Sequence, residues 1–487
     1  MSATMDTKLF QDYFNNCPLV HISGRNFEVQ VLYTAPANAG QASSLLPRVL
    51  WYTFMRKKSQ VIFWYFFLEK MRSNRLVRLN TKNLDVFPLY AALSASDQRL
   101  ALNSSGTNRK CIVSTNIAET SLTIDNVVYV VDSGLSRQLI FNPRAGRTGR
   151  TRDGVCYRLY SKEDYDHMAA TTEPAIRCTS IDTAVLKLGA AGYRKLIDFD
   201  WIDAPHPESI ARAAQDLRDC PVPDIDKNRG FLNDDAALTQ SGRLAAKCPL
   251  DPIWYRAIQA GTKIGCAMNI VDIALLCSSQ SPIFMRPAQY RQVADLAKTA
   301  FAHPLSDHLT LTNAFDAYMQ ARRIHQQVNG PKFDLGIWCT DHFLNMQALE
   351  QVRIARLELG HFLANVAKIP PTRTSIVDMT SVRKALAIAF HTHSAIHRTG
   401  DEYRTVHENT PRSCHHSALW WRKLRVDCVH QFFHRGARQY LQIATAIKAE
   451  WLVEARLPKT GNGGLRQPDV KRSLDDAKAR IEASKAN

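Results

Sequence analysis

The stretch Asn126–Asp132, NVVYVVD, constrains the fold more than any other part of the chain. Its apolar residues run without alternation between a polar Asn and a polar Asp, and most are β-branched. A run this short is a strand, and the lack of alternation means that both faces are buried. Strands of that kind belong to parallel sheets covered by helices on each side. Similar runs occur at Val61–Leu68 (VIFWYFFL), Asp85–Tyr90 (DVFPLY), Arg109–Ser114 (RKCIVS) and Val155–Tyr160 (VCYRLY). Residues 50–170 therefore predict an α/β unit. The eight residues of Val61–Leu68 fall well short of a bilayer span, which needs about twenty. Upstream, Lys8–Asn15 leads into a turn at Pro18–Val20 and Gly24, then an alternating strand at Phe27–Thr34.

From Thr171 the pattern turns helical. Glu208–Leu217 follows a His206-Pro207 start, Leu238–Leu244 reads as a turn into another helix, and 251–279 is apolar and largely helical. Further helices reach Phe362, interrupted by Pro282, Pro287, Pro304 and Asn329-Gly330-Pro331. Strand character returns at Glu402–His407, Cys428–Phe433 and Tyr440–Ile447. The segment after Pro458 is Gly-rich and then charged, and predicts a frayed or loosely helical tail.

With 487 residues, 45% of them apolar and 22% charged, the chain can bury several cores, which excludes wholesale disorder. Lys and Arg number 62 against 45 Asp and Glu, a net charge of +17 that favours a polyanionic partner such as nucleic acid. Eleven cysteines lie scattered with no C-x-x-C pair, and no secretory leader pattern opens the sequence. A reducing cytosolic or nuclear setting is the expectation.

Two segments carry chemistry. Ser114-Thr-Asn-Ile-Ala-Glu-Thr-Ser-Leu-Thr-Ile-Asp125 sits between two predicted strands, at the carboxyl end of the first. Ligands bind in crevices outside such strand ends. Ser114, Thr115, Asn116, Thr120, Ser121 and Thr123 offer small hydrogen-bonding groups suited to phosphate oxygens. An ordinary polar loop with a helix cap at Thr120 or Ser121 fits the same residues. The second segment, Arg144-Ala-Gly-Arg-Thr-Gly-Arg150, spaces Arg147 and Arg150 by three around a glycine. Guanidinium forks so placed can meet a transferring phosphoryl group; an exposed basic turn is the plainer alternative. The crowd of His391, His393, His397, Cys414, His415, His416, Cys428, His430 and His434 lacks the regular spacing of a zinc site, so no metal is expected. The sequence contains no Walker A pattern and no Asp-Glu-x-His box.

These segments bring the chain to a family. Ser114–Ile124 and Arg144–Arg150 resemble the fifth and sixth motifs of the DEAH-box RNA helicases, and Ser2-Ala3-Thr4 resembles the third. Within the family the likeness is to the branch that disassembles the intron-lariat spliceosome and serves ribosome maturation. Asn126–Arg144 is similar to the strand and first arm of that family's long hairpin. Leu238–Pro252, Phe301–Pro304, Asp307–Thr310, Trp338-Cys339 and Asp341–Asn345 are similar to landmarks of its helical ratchet. His397–Gly400, Tyr403–Val406 and Glu450–Glu454 are similar to its OB-like module.

The resemblance implies a succession of modules. Residues 1–35 would be the remnant of a first RecA-like domain. Residues 36–170 would be a second RecA-like domain with an incomplete parallel sheet, and 171–236 a winged helix. Residues 237–370 would form a helical ratchet-like domain, 371–455 an OB-like β module, and 456–487 a flexible tail. It also implies roles. Arg147 and Arg150 would be arginine fingers, and Ser2, Ala3 and Thr4 would couple hydrolysis to strand movement. Glu119, Thr120, Asp125 and Gly146 would face ATP, with Mg2+. Ser114, Thr115, Asn116, Thr120, Ser121 and Thr123 would hold single-stranded RNA. Implied partners are a glycine-rich activator at the OB-like module and spliceosomal or pre-ribosomal particles, in the nucleus or cytoplasm and away from membranes. The implied activity is ATP-dependent 3'-to-5' RNA unwinding. Against it, the P-loop and the DEAH box fall outside this sequence, so autonomous ATPase activity is not expected. A non-catalytic RNA- or activator-binding scaffold and a nonfunctional truncated paralogue are the alternatives.

Besides the P-loop and DEAH box, the sequence departs from the family pattern at internal positions. Asn142-Pro143-Arg144 joins Ala145-Gly146 directly, where the family has a further hairpin arm and a strand. Ala101 stands near the position of an adenine-stacking aromatic. Removing an internal strand would leave its neighbours with unpaired backbone groups, each costing about 1–3 kcal/mol when buried. Either the join is bypassed by rearrangement, or residues 50–170 fold poorly.

Overall fold

In a computed structural model of the chain, the described residues are 7–20, 27–33, 62–66, 84–89, 100–102, 109–114, 127–132, 148, 152–167, 173–218, 231–232, 237–287, 290–327, 334–374, 379–397, 402–406, 411–414, 428–435, 438–454 and 475–483. They fall into two units, Met1–Cys178 and Thr179–Asn487.

The first unit is built on six parallel strands. These are β1 (Val29–Tyr33), β2 (Ile62–Phe66), β3 (Leu84–Leu89), β4 (Arg109–Ser114), β5 (Val127–Asp132) and β6 (Gly154–Arg158). Their order across the sheet is β1-β6-β5-β2-β4-β3. The runs read from the sequence thus fall on strands of one sheet. Period-2 geometry sorts their side chains onto two faces. Cys111, Val113, Tyr129, Val131 and Leu159 build one core. Leu89, Ala101, Ile112, Val127, Val130 and Cys156 build the other.

At the join near residue 144 the ladder takes the bypass. Tyr129–Asp132 pairs directly with Val155–Arg158, while the other side of β5 pairs with β2. Neither flank of β5 is left without a neighbour. Residues 1–35 were expected to close a preceding domain, and here the structure corrects the sequence reading. Val29–Tyr33 is bonded in register to Gly154–Arg158, so it is an edge strand of this same sheet. A short helix, α1 (Thr7–Tyr13), lies upstream and buries none of its residues.

The second unit is mostly helical. Asp182–Ala190 (α4), Pro207–Arg218 (α5) and Gln240–Lys247 (α6) come first, after the short α2 (Lys162–Asp166) and α3 (Ala175–Cys178) of the first unit. Thr239 caps α6, its hydroxyl accepting from the Gly242 amide at 3.0 Å. Then come α7 (Pro252–Ile264), α8 (Ala267–Cys277), α9 (Arg291–Thr299), α10 (Asp307–Gln327), α11 (Leu335–Asp341), α12 (Met346–Phe362) and α13 (Thr380–Ala389). Helix α8 is apolar nearly all round and buries eight of its residues, so it forms the centre of the unit. Beside it, Leu276, Phe315, Tyr318, Leu344 and Leu349 pack a core between α8, α10 and α12. Asp272 on α8 anchors two arginines, Arg356 of α12 at 2.8 Å and Arg373 of the following strap.

Five short strands follow: β7 (Ser394–His397), β8 (Glu402–Thr405), β9 (Pro411–Cys414), β10 (Cys428–Arg435) and β11 (Arg438–Ala446). Their ladder runs β10-β11-β9-β8-β7 and closes where β7 pairs back onto β10. A polar seam joins this ring to the start of α10. The Ala446 amide donates to the Leu305 carbonyl at 2.9 Å and the Ala444 amide to the Asp307 carboxylate at 3.1 Å. The buried His308 ring meets the Thr445 hydroxyl at 2.8 Å, and that hydroxyl also meets Ser306 at 2.6 Å. The expected flexible tail is corrected in part. Residues 475–483 are helical, Ala477 is fully buried, and Arg480 pairs with Glu450 of α14 (Ala449–Glu454) at 2.9 Å. A small side chain facing inward and a charge partner outside give this segment something to pack on. Among the described residues no helix is long and apolar enough to cross a membrane.

Burial pushes the His308 imidazole down to about 4. It is neutral in the fold at a pH where the unfolded chain, near 6.5, already binds a proton. Stability is therefore full above that pH and falls as pH drops from about 6.5 to 4, by on the order of 3 kcal/mol. His308→Gln keeps a hydrogen-bonding group and removes the titration. Chemical denaturation between pH 7 and 4 should show a flatter pH dependence for that variant than for the parent.

Candidate nucleic-acid interface

The carboxyl ends of the parallel strands line one edge of the first unit. From β2 the chain passes on to β3, toward one side of the sheet, and from β5 it passes to β6, toward the other. The adjacent ends of β2 and β5 therefore flank a point where the winding reverses, the usual position of a ligand crevice in an open sheet. Asp132, the last residue of β5, sits there opposite Phe66 and is fully buried. Tyr160 donates its hydroxyl to the Asp132 carboxylate at 2.8 Å. Burial, with that carboxylate beside it, pushes the Tyr160 phenol well above its usual range, so it stays a donor.

Next to this pair lies a cation enclosed by rings. The Arg158 guanidinium, at the end of β6, stands 3.9 Å from the centroid of Tyr165 and 5.2 Å from that of Tyr33. It also donates to the Tyr33 hydroxyl. Tyr33 and Tyr165 contact each other edge-on at 6.0 Å, and Tyr165 stacks beside Tyr160 at 6.5 Å. Ser161 and Asp164 form a reciprocal capping box at the start of α2, which sets where Tyr165 projects. Tyr33 and Tyr165 are half-buried, so aromatic surface beside a fixed positive charge faces outward at this edge. Such a surface suits a polyanion that carries rings.

The sequence-predicted residues distribute as follows. Ser114 ends β4 and is buried at the carboxyl edge. Thr115, Asn116, Glu119, Thr120, Ser121, Thr123 and Asp125 lie outside the described residues, as do Ser2, Ala3, Thr4, Gly146, Arg147 and Arg150. Between the last two, Thr148 is described and buried. Its hydroxyl is directed at the carbonyls of Val127 at 2.9 Å and Val128 at 3.0 Å, at the amino end of β5. Ser114 and Thr148 thus attach to opposite edges of the sheet, separated by a strand length of about 17 Å. The structure does not bring these two anchor points together. Ala101 is fully buried against the sheet and presents no stacking surface.

Sequence reasoning missed the Asp132–Tyr160 pair and the Arg158 cage. The clue was Tyr157-Arg158-Leu159-Tyr160, where polar rings and a guanidinium interrupt a strand that otherwise reads as core. In the second unit some of the residues singled out in the sequence lie together. Trp338 stacks on His342 at 4.3 Å, and His342 lies 5.9 Å from Phe301. Asn345 caps α12 through the Ala348 amide at 3.2 Å. Among the described residues no group of three or more His, Cys, Asp or Glu is placed to hold a metal.

Residues 43–152 fit the helicase conserved C-terminal domain. The first unit therefore carries a helicase C-terminal domain, a type of the broader helicase superfamily, and this domain spans β2 to β5.

Gly154 opens β6 directly beneath Thr148. An added Cβ there would fall inside contact distance of the Thr148 side chain and 2.9 Å from the Val128 carbonyl. Gly154→Ala should lower the stability of the first unit by about 1–3 kcal/mol, as overpacking does. Urea titration followed by proteolytic fragmentation should show loss confined to residues 1–178, with the second unit unchanged.

Proposed function

We propose that this chain is the strand-gripping portion of a DEAH-box RNA helicase of the spliceosome-disassembly and ribosome-maturation branch. The observation that carries the reading is a helicase C-terminal domain in which the segment Ser114–Asp125 leaves the carboxyl edge of the sheet. The order of motif-like segments around it, and the ratchet and OB-like landmarks beyond, support the finer assignment. In this reading Ser114, Thr115, Asn116, Thr120, Ser121 and Thr123 hold the sugar-phosphate backbone of single-stranded RNA. Such contacts give little sequence preference. The ring of β7–β11 is the OB-like module and the docking face of a glycine-rich activator. Residues 171–236 are the winged helix. Ser2, Ala3 and Thr4 belong to the coupling segment, and the site of action is nuclear, with the cytoplasm as a second location.

In this reading ATP and Mg2+ are not held productively by this chain alone. No Walker A pattern occurs in the sequence, and Ala101, near the position of the family's adenine-stacking aromatic, is a core residue. Arg147, Arg150, Glu119, Thr120, Asp125 and Gly146 keep the pattern of a nucleotide-facing surface but have no phosphate loop in this chain opposite them. The second reading is therefore a scaffold that binds RNA or activator without turnover, favoured by the +17 charge.

The two properties are measurable on one preparation. Fluorescence anisotropy with a 12-nucleotide single-stranded RNA should show binding that weakens steeply with salt, with no preference among sequences. RNA-stimulated phosphate release should stay at the blank. Clear turnover by the pure chain contradicts the reading, as does failure to bind RNA at low salt.

A further inference from the structure

The two edges of the six-stranded sheet are unlike. At one edge β3 reads LDVFPL and carries Asp85 and Pro88, a charge and a residue without an amide proton. Both are common devices for keeping an edge from pairing with another chain. At the opposite edge β1 reads VQVLY, with no charge and no proline. Among the described residues its ladder is to β6 alone. Its middle is open to solvent on both faces, Val31 being 36% and Leu32 37% exposed. The chain leading to it adds Leu9, Phe14, Leu19, Val20 and Phe27 to the exposed large apolar residues. Among the described residues nothing else pairs with this edge, and a monomer seldom leaves that much apolar surface beside such a strand.

We propose that β1 is a self-association edge, on which a second copy of this chain adds its own β1 antiparallel. Three observations favour a copy over an unrelated segment. First, the strand is self-complementary. A twofold axis at Val31 sets Val29 opposite the partner's Tyr33 and Gln30 opposite the partner's Leu32, pairs of β-branched, aromatic and neutral side chains with no like charges in register. Second, charge does not oppose the contact. Residues 7–33 contain Lys8 and Arg25 against Asp12 and Glu28, so this stretch is neutral in a chain of net charge +17. An acidic partner would find nothing here to attract it. Third, an antiparallel strand on the edge of a parallel sheet is a common arrangement, and a twofold contact is the commonest way for two copies to meet. The joined sheets would satisfy the outer backbone groups of β1 and cover Val31 and Leu32 together.

The test uses the full chain after nuclease treatment, in 0.5 M salt so that nucleic acid cannot bridge copies. Sedimentation velocity over a hundredfold range of concentration should show a monomer–dimer equilibrium. Val31→Lys, a change at an exposed side chain, should raise the dissociation constant by about tenfold or more with unchanged circular dichroism. Asp85→Asn, on the opposite edge, should leave it unchanged. Val31→Cys adds a check of register. Residues facing each other on antiparallel strands stand about 4.5–5.5 Å apart, within disulfide reach. Mild oxidation should then give a covalent dimer, which Gln30→Cys should not. A chain that stays monomeric throughout overturns the proposal, as does a dimer indifferent to Val31→Lys. Association that Asp85→Asn disrupts would place the contact at the other edge and equally overturn it.

Discussion

The backbone of β5 sets the terms for the whole first unit. Five of its six residues are buried, so each N–H and C=O must find a partner within the sheet. The requirement is met on one side by β2 and on the other by β6. A few unpaired groups there, at about 1–3 kcal/mol each, would rival the stability of an ordinary domain, about 5–15 kcal/mol. The direct pairing of β5 with β6 is therefore what allows the carboxyl edge to exist as a surface. Thr148 reinforces the same place from the opposite end, with its hydroxyl on the first carbonyls of β5.

From that edge follow the features that matter for binding. Asp132 and Ser114 are held at strand ends by the ladder, Tyr160 closes over Asp132, and Arg158 is fixed between Tyr33 and Tyr165. A cation enclosed by aromatic rings loses little further freedom when a polyanion arrives, which is the benefit of building it on strands rather than on a loop. The second unit is organised on a similar principle. Its strand ring is not tethered by chain connectivity alone, because Leu305–His308 and Ala444–Ala446 form a buried polar seam.

Much of this was legible in the sequence, and the limits have physical causes. Asn126–Asp132 reads as a doubly covered strand because its apolar run is short, mostly β-branched and without alternation. Ser114 could be placed at a strand end because the apolar run stops there. Val29–Tyr33 was read as a strand but assigned to the wrong sheet. Its partner Gly154–Arg158 lies far along the chain, and alternation says nothing about which edge a strand will join. The Arg158 cage brings Tyr33 of β1 and Tyr165 of α2 to the end of β6, so the local run Tyr157–Tyr160 hints at it without showing the distant ring. A loose helix at 475–483 is within reach of the sequence, but its packing is not, since it depends on a single buried alanine and one ion pair with Glu450.

Native-state hydrogen exchange on β5 and β6 examines the central claim most directly, that these strands are bonded to each other across the join. The amides of Tyr129–Asp132 and Val155–Tyr157 should be strongly protected and should open together, with one common free energy. Exchange of either group at the rate of an unstructured peptide, while the second unit remains protected, would contradict it.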